Sequence, residues 1–94
     1  MALNVEFGTY EELITFLNRE RSLFFLVSYN VIKQCIDDND DLALIANLTV
    51  GDSVFTIQIE RKDFNRHLIK SLSYFEYDEN YEMCRKVKDL MDLV

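Results

Sequence analysis

The dipeptide Gly51-Asp52 and its alternating flanks constrain this chain more than any other feature. A two-residue loop with glycine first suits a type II′ turn, and it makes every cross-strand pair of residue numbers sum to 103. That register pairs Leu48 with Phe55, Ala46 with Ile57 and Leu44 with Ile59 on one face, and Asn47 with Thr56 and Ile45 with Gln58 on the other. The spacing therefore predicts a hairpin over 42–61 with one apolar face and one mostly polar face. A slip of one residue would exchange the faces.

The flanking segments have helical periods. Thr9-Tyr10-Glu11-Glu12 has the form of a capping box, with Thr9 capping the amide three residues on and Glu12 returning to the Thr9 amide. Tyr10, Leu13, Ile14 and Leu17 then form a stripe down to about Arg19, with a short strand at Val5 and Phe7 before it. From Asp63 onward, Phe64, Leu68, Leu72 and Phe75 make a second stripe, with Ile69 beside it. Asp78 is expected to break the run and cap a last helix striped by Tyr81, Cys84, Val87, Met91 and Val94. One continuous helix over 63–93 is the alternative, with 76–80 as its weak point.

Residues 23–36 fit two patterns. With period two, Leu23, Phe25, Val27, Tyr29, Val31 and Cys35 share a face, and the β-branched and aromatic content favours a strand. A helical reading through Phe25, Tyr29, Ile32 and Ile36 also works, but the strand is preferred. Taking the strand, with a bend near Ser28 to Asn30, the expectation is an α+β fold in a single domain over 1–94: short strand, helix, antiparallel three-stranded meander, and a C-terminal αα-hairpin packed on the sheet. Ninety-four residues leave room for one core.

Few residues offer chemistry. His67 is the lone histidine, so no catalytic or metal constellation has a second imidazole, and it reads as a surface residue on the flank of the third helix. Cys35 and Cys84 are far apart and sit among apolar residues, which favours buried free thiols over one long-range disulfide. Asp37-x-Asn39-x-Asp41 imitates the start of a calcium loop, but Leu42 and Leu48 stand where glycine and glutamate are needed. The chain has two glycines and no proline, so no glycine-rich phosphate cradle is expected. No enzyme activity, metal or cofactor is expected.

The net charge is −7, with ten basic residues scattered among seventeen acids. That disfavours direct nucleic-acid binding. No run of some 20 apolar residues exists to cross a membrane, and the start lacks a signal-peptide pattern, so a cytoplasmic setting is expected.

The last helix carries one family resemblance. Glu79-Asn80-Tyr81-Glu82-Met83-Cys84-Arg85-Lys86-Val87-Lys88-Asp89-Leu90-Met91 resembles the UVR helical-hairpin motif of bacterial excision-repair proteins. Tyr81, Glu82, Lys88, Asp89 and Met91 fit its pattern, while Cys84 and Arg85 replace its two small residues. The resemblance implies a helical hairpin that binds another helical hairpin.

These features point to a small acidic protein-binding module, an adaptor or inhibitor, with another protein as partner, including a basic or nucleic-acid-binding one. In style it is similar to proteins encoded by phages or mobile elements that modulate a host protein. The expected contact residues crowd the bend between the last helices: Tyr74, Tyr77 and Tyr81, with the acids Glu76, Asp78, Glu79 and Glu82. A tyrosine that the core stripe does not use is a common interface anchor. A DNA-mimic inhibitor, using spaced acids as a phosphate ladder, and a structural homo-oligomer such as a homodimer are the alternatives.

Overall fold

In the computed structural model, which describes residues 2–94, the hairpin stands as β2 (Leu42–Val50) and β3 (Ser53–Glu60). Gly51 has a φ of 58° while Asp52 does not enter the left-handed region, as a type II′ turn requires. Ahead of the hairpin come β1 (Leu3–Phe7), α1 (Tyr10–Arg19) and α2 (Arg21–Asp37). After it come a 3₁₀ turn over Arg61–Asp63, α3 (Phe64–Tyr77) and α4 (Tyr81–Met91). The fold is α+β with a C-terminal helix pair.

The expected meander is corrected. Residues 23–36 lie within α2, unbroken at Ser28, whose buried hydroxyl donates to the Phe24 carbonyl at 2.8 Å. The third strand is β1, which pairs parallel to β2, giving a mixed sheet of order β1-β2-β3. α2 packs against β2 on one side and against α3 on another. Leu23–Val27 is thus an unbroken apolar run that blurs the helical period among β-branched and aromatic residues, while Asn30, Lys33, Gln34 and Asp37 mark an exposed side farther along. α1 and α2 together supply the crossover that a parallel β1–β2 pair needs.

The hairpin register holds from Val50–Ser53 through Ala46–Ile57 and then shifts at a bulge between Leu44 and Ala46. Leu44 consequently lies opposite Gln58, not Ile59. Both Ile45 and Ala46 turn into the core, whereas Leu44 is 38% exposed. The bulge sets Ala43 and Ile45 under α2 in place of Leu42 and Leu44. The reason is close approach: Ala43 is fully buried, and the Cys35 thiol donates to the Leu42 carbonyl at 3.5 Å.

All the helices cover one face of the sheet. Ala43, Ile45, Ala46, Leu48 and Val50 form one buried cluster with Leu13, Val31, Ile32, Phe64, Leu68, Phe75 and Val87. Across the open face, Asn47 donates to Asn4 at 3.1 Å and accepts from Thr56 at 3.0 Å, so polar side chains bridge all three strands.

Helix ends depart from expectation in detail. Thr9 caps α1 through the Glu12 amide at 3.2 Å, but Glu12 returns to the Gly8 amide at 3.0 Å instead of that of Thr9. Asn80 caps α4, receiving the Met83 amide at 3.3 Å, while Asp78 ends α3. The α4 stripe is rotated: Met83, Cys84, Val87 and Leu90 are buried, and Tyr81 and Val94 are exposed. Ile69 likewise faces outward, and the buried Ser71 extends the α3 stripe on its opposite flank.

Candidate contact site: an aromatic groove beside an acidic turn

Arg21, Phe24 and Phe25 are spaced three and four residues apart, which sets them on one side of the first turns of α2. Ser73, Tyr74 and Tyr77 share a side of α3 for the same reason. Leu17 from α1 and Ile57 from β3 complete an open groove of about 660 Å³. Its lining is apolar and aromatic, and Arg21 is its one formally charged residue.

Phe25 organises the groove. Its ring stacks on Tyr74 with centroids 4.9 Å apart, and it also meets Phe24 at 5.5 Å and Phe75 at 6.3 Å, edge to face. Pairs of this geometry add about 0.5–1.5 kcal/mol beyond their buried area. Tyr77, one helical turn beyond Tyr74 and Ser73, is 90% exposed at the rim. The apolar surface continues outward along α1. Tyr10, Ile14 and Leu17 follow one helix face toward the groove, and Tyr10 meets the exposed Phe55 of β3 at 5.9 Å.

Of the seven residues expected to form the contact surface, Tyr74 and Tyr77 line this groove. Tyr74 is half-buried under Phe25, so it belongs partly to the core. Tyr81 begins α4 at 69% exposure and is not part of the groove lining. Glu76, Asp78, Glu79 and Glu82 are all exposed on the α3–α4 turn, where Glu82 meets Lys86 at 3.4 Å. Leu17, Arg21, Phe24, Phe25 and Ile57 were absent from the expected set, because the groove exists only once 23–36 is helical. The helical spacing of Arg21, Phe24 and Phe25 was the available signal.

His67 lies behind the groove. Its ring packs against Phe24 at 5.9 Å and Phe25 at 5.8 Å, and its Nε2 is buried without a hydrogen-bond partner. Burial, and then the charge of Lys70, push the imidazole below its ordinary value. The neutral ring therefore serves as an apolar plate.

The acidic segment 37–41 is a helix terminus. Asn39 is left-handed at φ 56°, the Asp40 amide reaches the Cys35 carbonyl at 2.7 Å, and the Asn39 amide reaches that of Ile36 at 3.3 Å. This paired C-terminal cap accounts for Asn39 without a ligand. Arg61 ties the segment down, donating to the Asp40 carbonyl at 2.7 Å, to Cys35 at 3.4 Å and to the Asp41 carboxylate at 2.9 Å. Among the described residues, no group of three or more His, Cys, Asp or Glu side chains could hold a metal ion. Cys35 and Cys84 are buried free thiols, and burial followed by Asp40 raises the Cys35 thiol above its ordinary value. Among the same residues, no helix is long and apolar enough to cross a membrane.

No family model, curated protein or solved structure matches this chain. The resemblance of 79–91 to the UVR motif thus rests on its own residues, of which Tyr81, Glu82, Lys88 and Asp89 are exposed on α4.

Proposed function

We propose that this chain is a non-enzymatic protein-binding module, an adaptor or inhibitor, whose contact face is the groove between α2, α3 and β3. The observation that carries the reading is the groove itself: a concave aromatic surface with Phe25 and Tyr74 fixed by stacking and Tyr77 free at its rim. The anchor side chains of a protein partner are buried in well-packed, desolvated pockets, and this groove offers an apolar one. A rigid aromatic wall also loses little entropy on binding. The acids Glu76, Asp78, Glu79 and Glu82 beside the rim would steer a basic partner toward it.

The test is affinity capture from a lysate with the wild-type chain and with Tyr77→Ala as baits. Tyr77 is exposed, so its loss leaves the fold intact, and a hot-spot aromatic carries about 2 kcal/mol or more of binding. A partner held by the wild type and lost from the variant supports the reading. An identical captured set from both baits overturns it. The DNA-mimic alternative is separated in the same assay: its partner would be released by duplex DNA and by charge reversal at Glu76, Asp78, Glu79 and Glu82, but not by Tyr77→Ala.

A further inference from the structure

β3 is an edge of the sheet, and among its residues only Glu60, at its end, carries a charge. Natural edge strands are protected by lysine, proline, a bulge or a covering element. Between Ser53 and Ile59 there is no charge and no proline, and the bulge of this sheet lies in β2. Every residue of β3 other than Ile57 and Ile59 is exposed. The pair flanking a two-residue hairpin loop exchanges both hydrogen bonds, and the pairs alternate from there. The N–H and C=O groups of Val54 and Thr56 therefore point away from β2 to the free edge.

We infer that the first occupant of this edge is a second copy of the chain, its β3 pairing antiparallel with this β3 about a two-fold axis to give a continuous six-stranded sheet. The inference rests on the reading of the neighbouring apolar face as a protein contact and adds a second copy of the chain at the edge beside it. Charge confines contact between copies to an uncharged stretch such as this one. On a chain of net charge −7, copies repel across most of their surface. The stretch from Ser53 to Ile59 carries no ionised side chain, and the adjoining groove carries only Arg21. Two copies meet there without opposing acids.

The strand is also self-complementary. In two-fold pairing of one strand with itself, each residue meets one an even number of positions away, so faces are preserved. Phe55, Ile57 and Ile59 meet one another on the helix side, and Val54, Thr56 and Gln58 meet on the open side. Phe55, 42% exposed in the single chain, and its neighbour Tyr10 are then covered from across the axis.

Sedimentation equilibrium on the full chain tests this, with Val54→Lys/Gln58→Lys as the blunted variant. The wild type is expected at twice its 11.2 kDa mass. The variant should keep the same far-UV circular dichroism and dimerise about tenfold more weakly or not at all. Hydrogen exchange on the wild type at two concentrations guards against a variant that fails to fold: the Val54 and Thr56 amides should lose protection on dilution. A wild type that is monomeric throughout, a blunted variant that still dimerises, or concentration-independent exchange at Val54 and Thr56 overturns the inference. A monomeric wild type that still captures a Tyr77-dependent partner overturns self-pairing alone. A dimer whose capture ignores Tyr77 overturns only the groove reading.

Discussion

Phe25 and Tyr74 lie with their rings nearly parallel, 28° apart at a centroid distance of 4.9 Å, and join α2 to α3 at the floor of the groove. The tyrosines of this region therefore divide by role. Tyr74→Ala should lower stability by about 2–4 kcal/mol, because it leaves a cavity against Phe25 and loses the stacking. Tyr77→Ala should change stability by no more than about 0.5 kcal/mol. Urea denaturation of the two variants checks the split, and equal losses would place Tyr77 in the core.

Arg61 holds the start of the hairpin to the end of α2 through two carbonyls and a carboxylate, with its guanidinium 5.6 Å from the Phe64 ring. Asp41 is 87% exposed, so its ion pair with Arg61 is screened by solvent. Arg61→Ala is expected to cost about 1.5–3 kcal/mol through the lost charged hydrogen bonds, against about 0–1 kcal/mol for Asp41→Ala. Thermal melts of both variants decide it. Equal costs would show that the ion pair, not the carbonyl capping, is the main contribution.

Just past the Asp78 cap of α3, Glu79 is left-handed at φ 57°, with the Asn80 amide on the Phe75 carbonyl at 2.9 Å and the Glu79 amide on the Glu76 carbonyl at 3.1 Å. Glycine is the residue this position favours. Glu79→Gly should therefore raise stability by about 0.5–1 kcal/mol. Gly51 has the opposite case: an added Cβ meets nothing within 4 Å, but φ is 58°. Gly51→Ala should lower stability by about 1 kcal/mol from backbone strain alone. Melting temperatures that move in the same direction would refute the pair.

His67 makes stability depend on pH. Its folded value lies below the ordinary one, so the folded chain resists a proton that the unfolded chain accepts. Well above the ordinary value of about 6.5 both states are neutral and nothing is lost. As pH falls from there through the folded value, the unfolded state binds the proton first and stability declines. The charge of Lys70 nearby adds to the resistance that burial sets up. His67→Phe, seated against Phe24 and Phe25, should flatten the loss of melting temperature between about pH 7.5 and about pH 5.5. An unchanged slope would assign the acid sensitivity to other groups.

Local chemistry carried much of this fold. The Gly51-Asp52 turn, the register from Val50–Ser53 to Ala46–Ile57, the Thr9 cap and the break between α3 and α4 all depend on residues close in sequence, whose turn and capping energies are local. Tyr74 and Tyr77 could be picked out for the same reason, since a helical stripe left them over. What only the tertiary structure decided involves packing on two sides at once. α2 packs against both the sheet and α3, which makes its first turns an unbroken apolar run, weakens the amphipathic period that marks a helix and lets β-branched residues suggest a strand. The bulge at Ile45 answers the close approach of α2 over Ala43, which no feature within β2 announces. The groove follows from these same events, because Phe24, Phe25 and Ile57 come together only when α2 is a helix laid between β3 and α3.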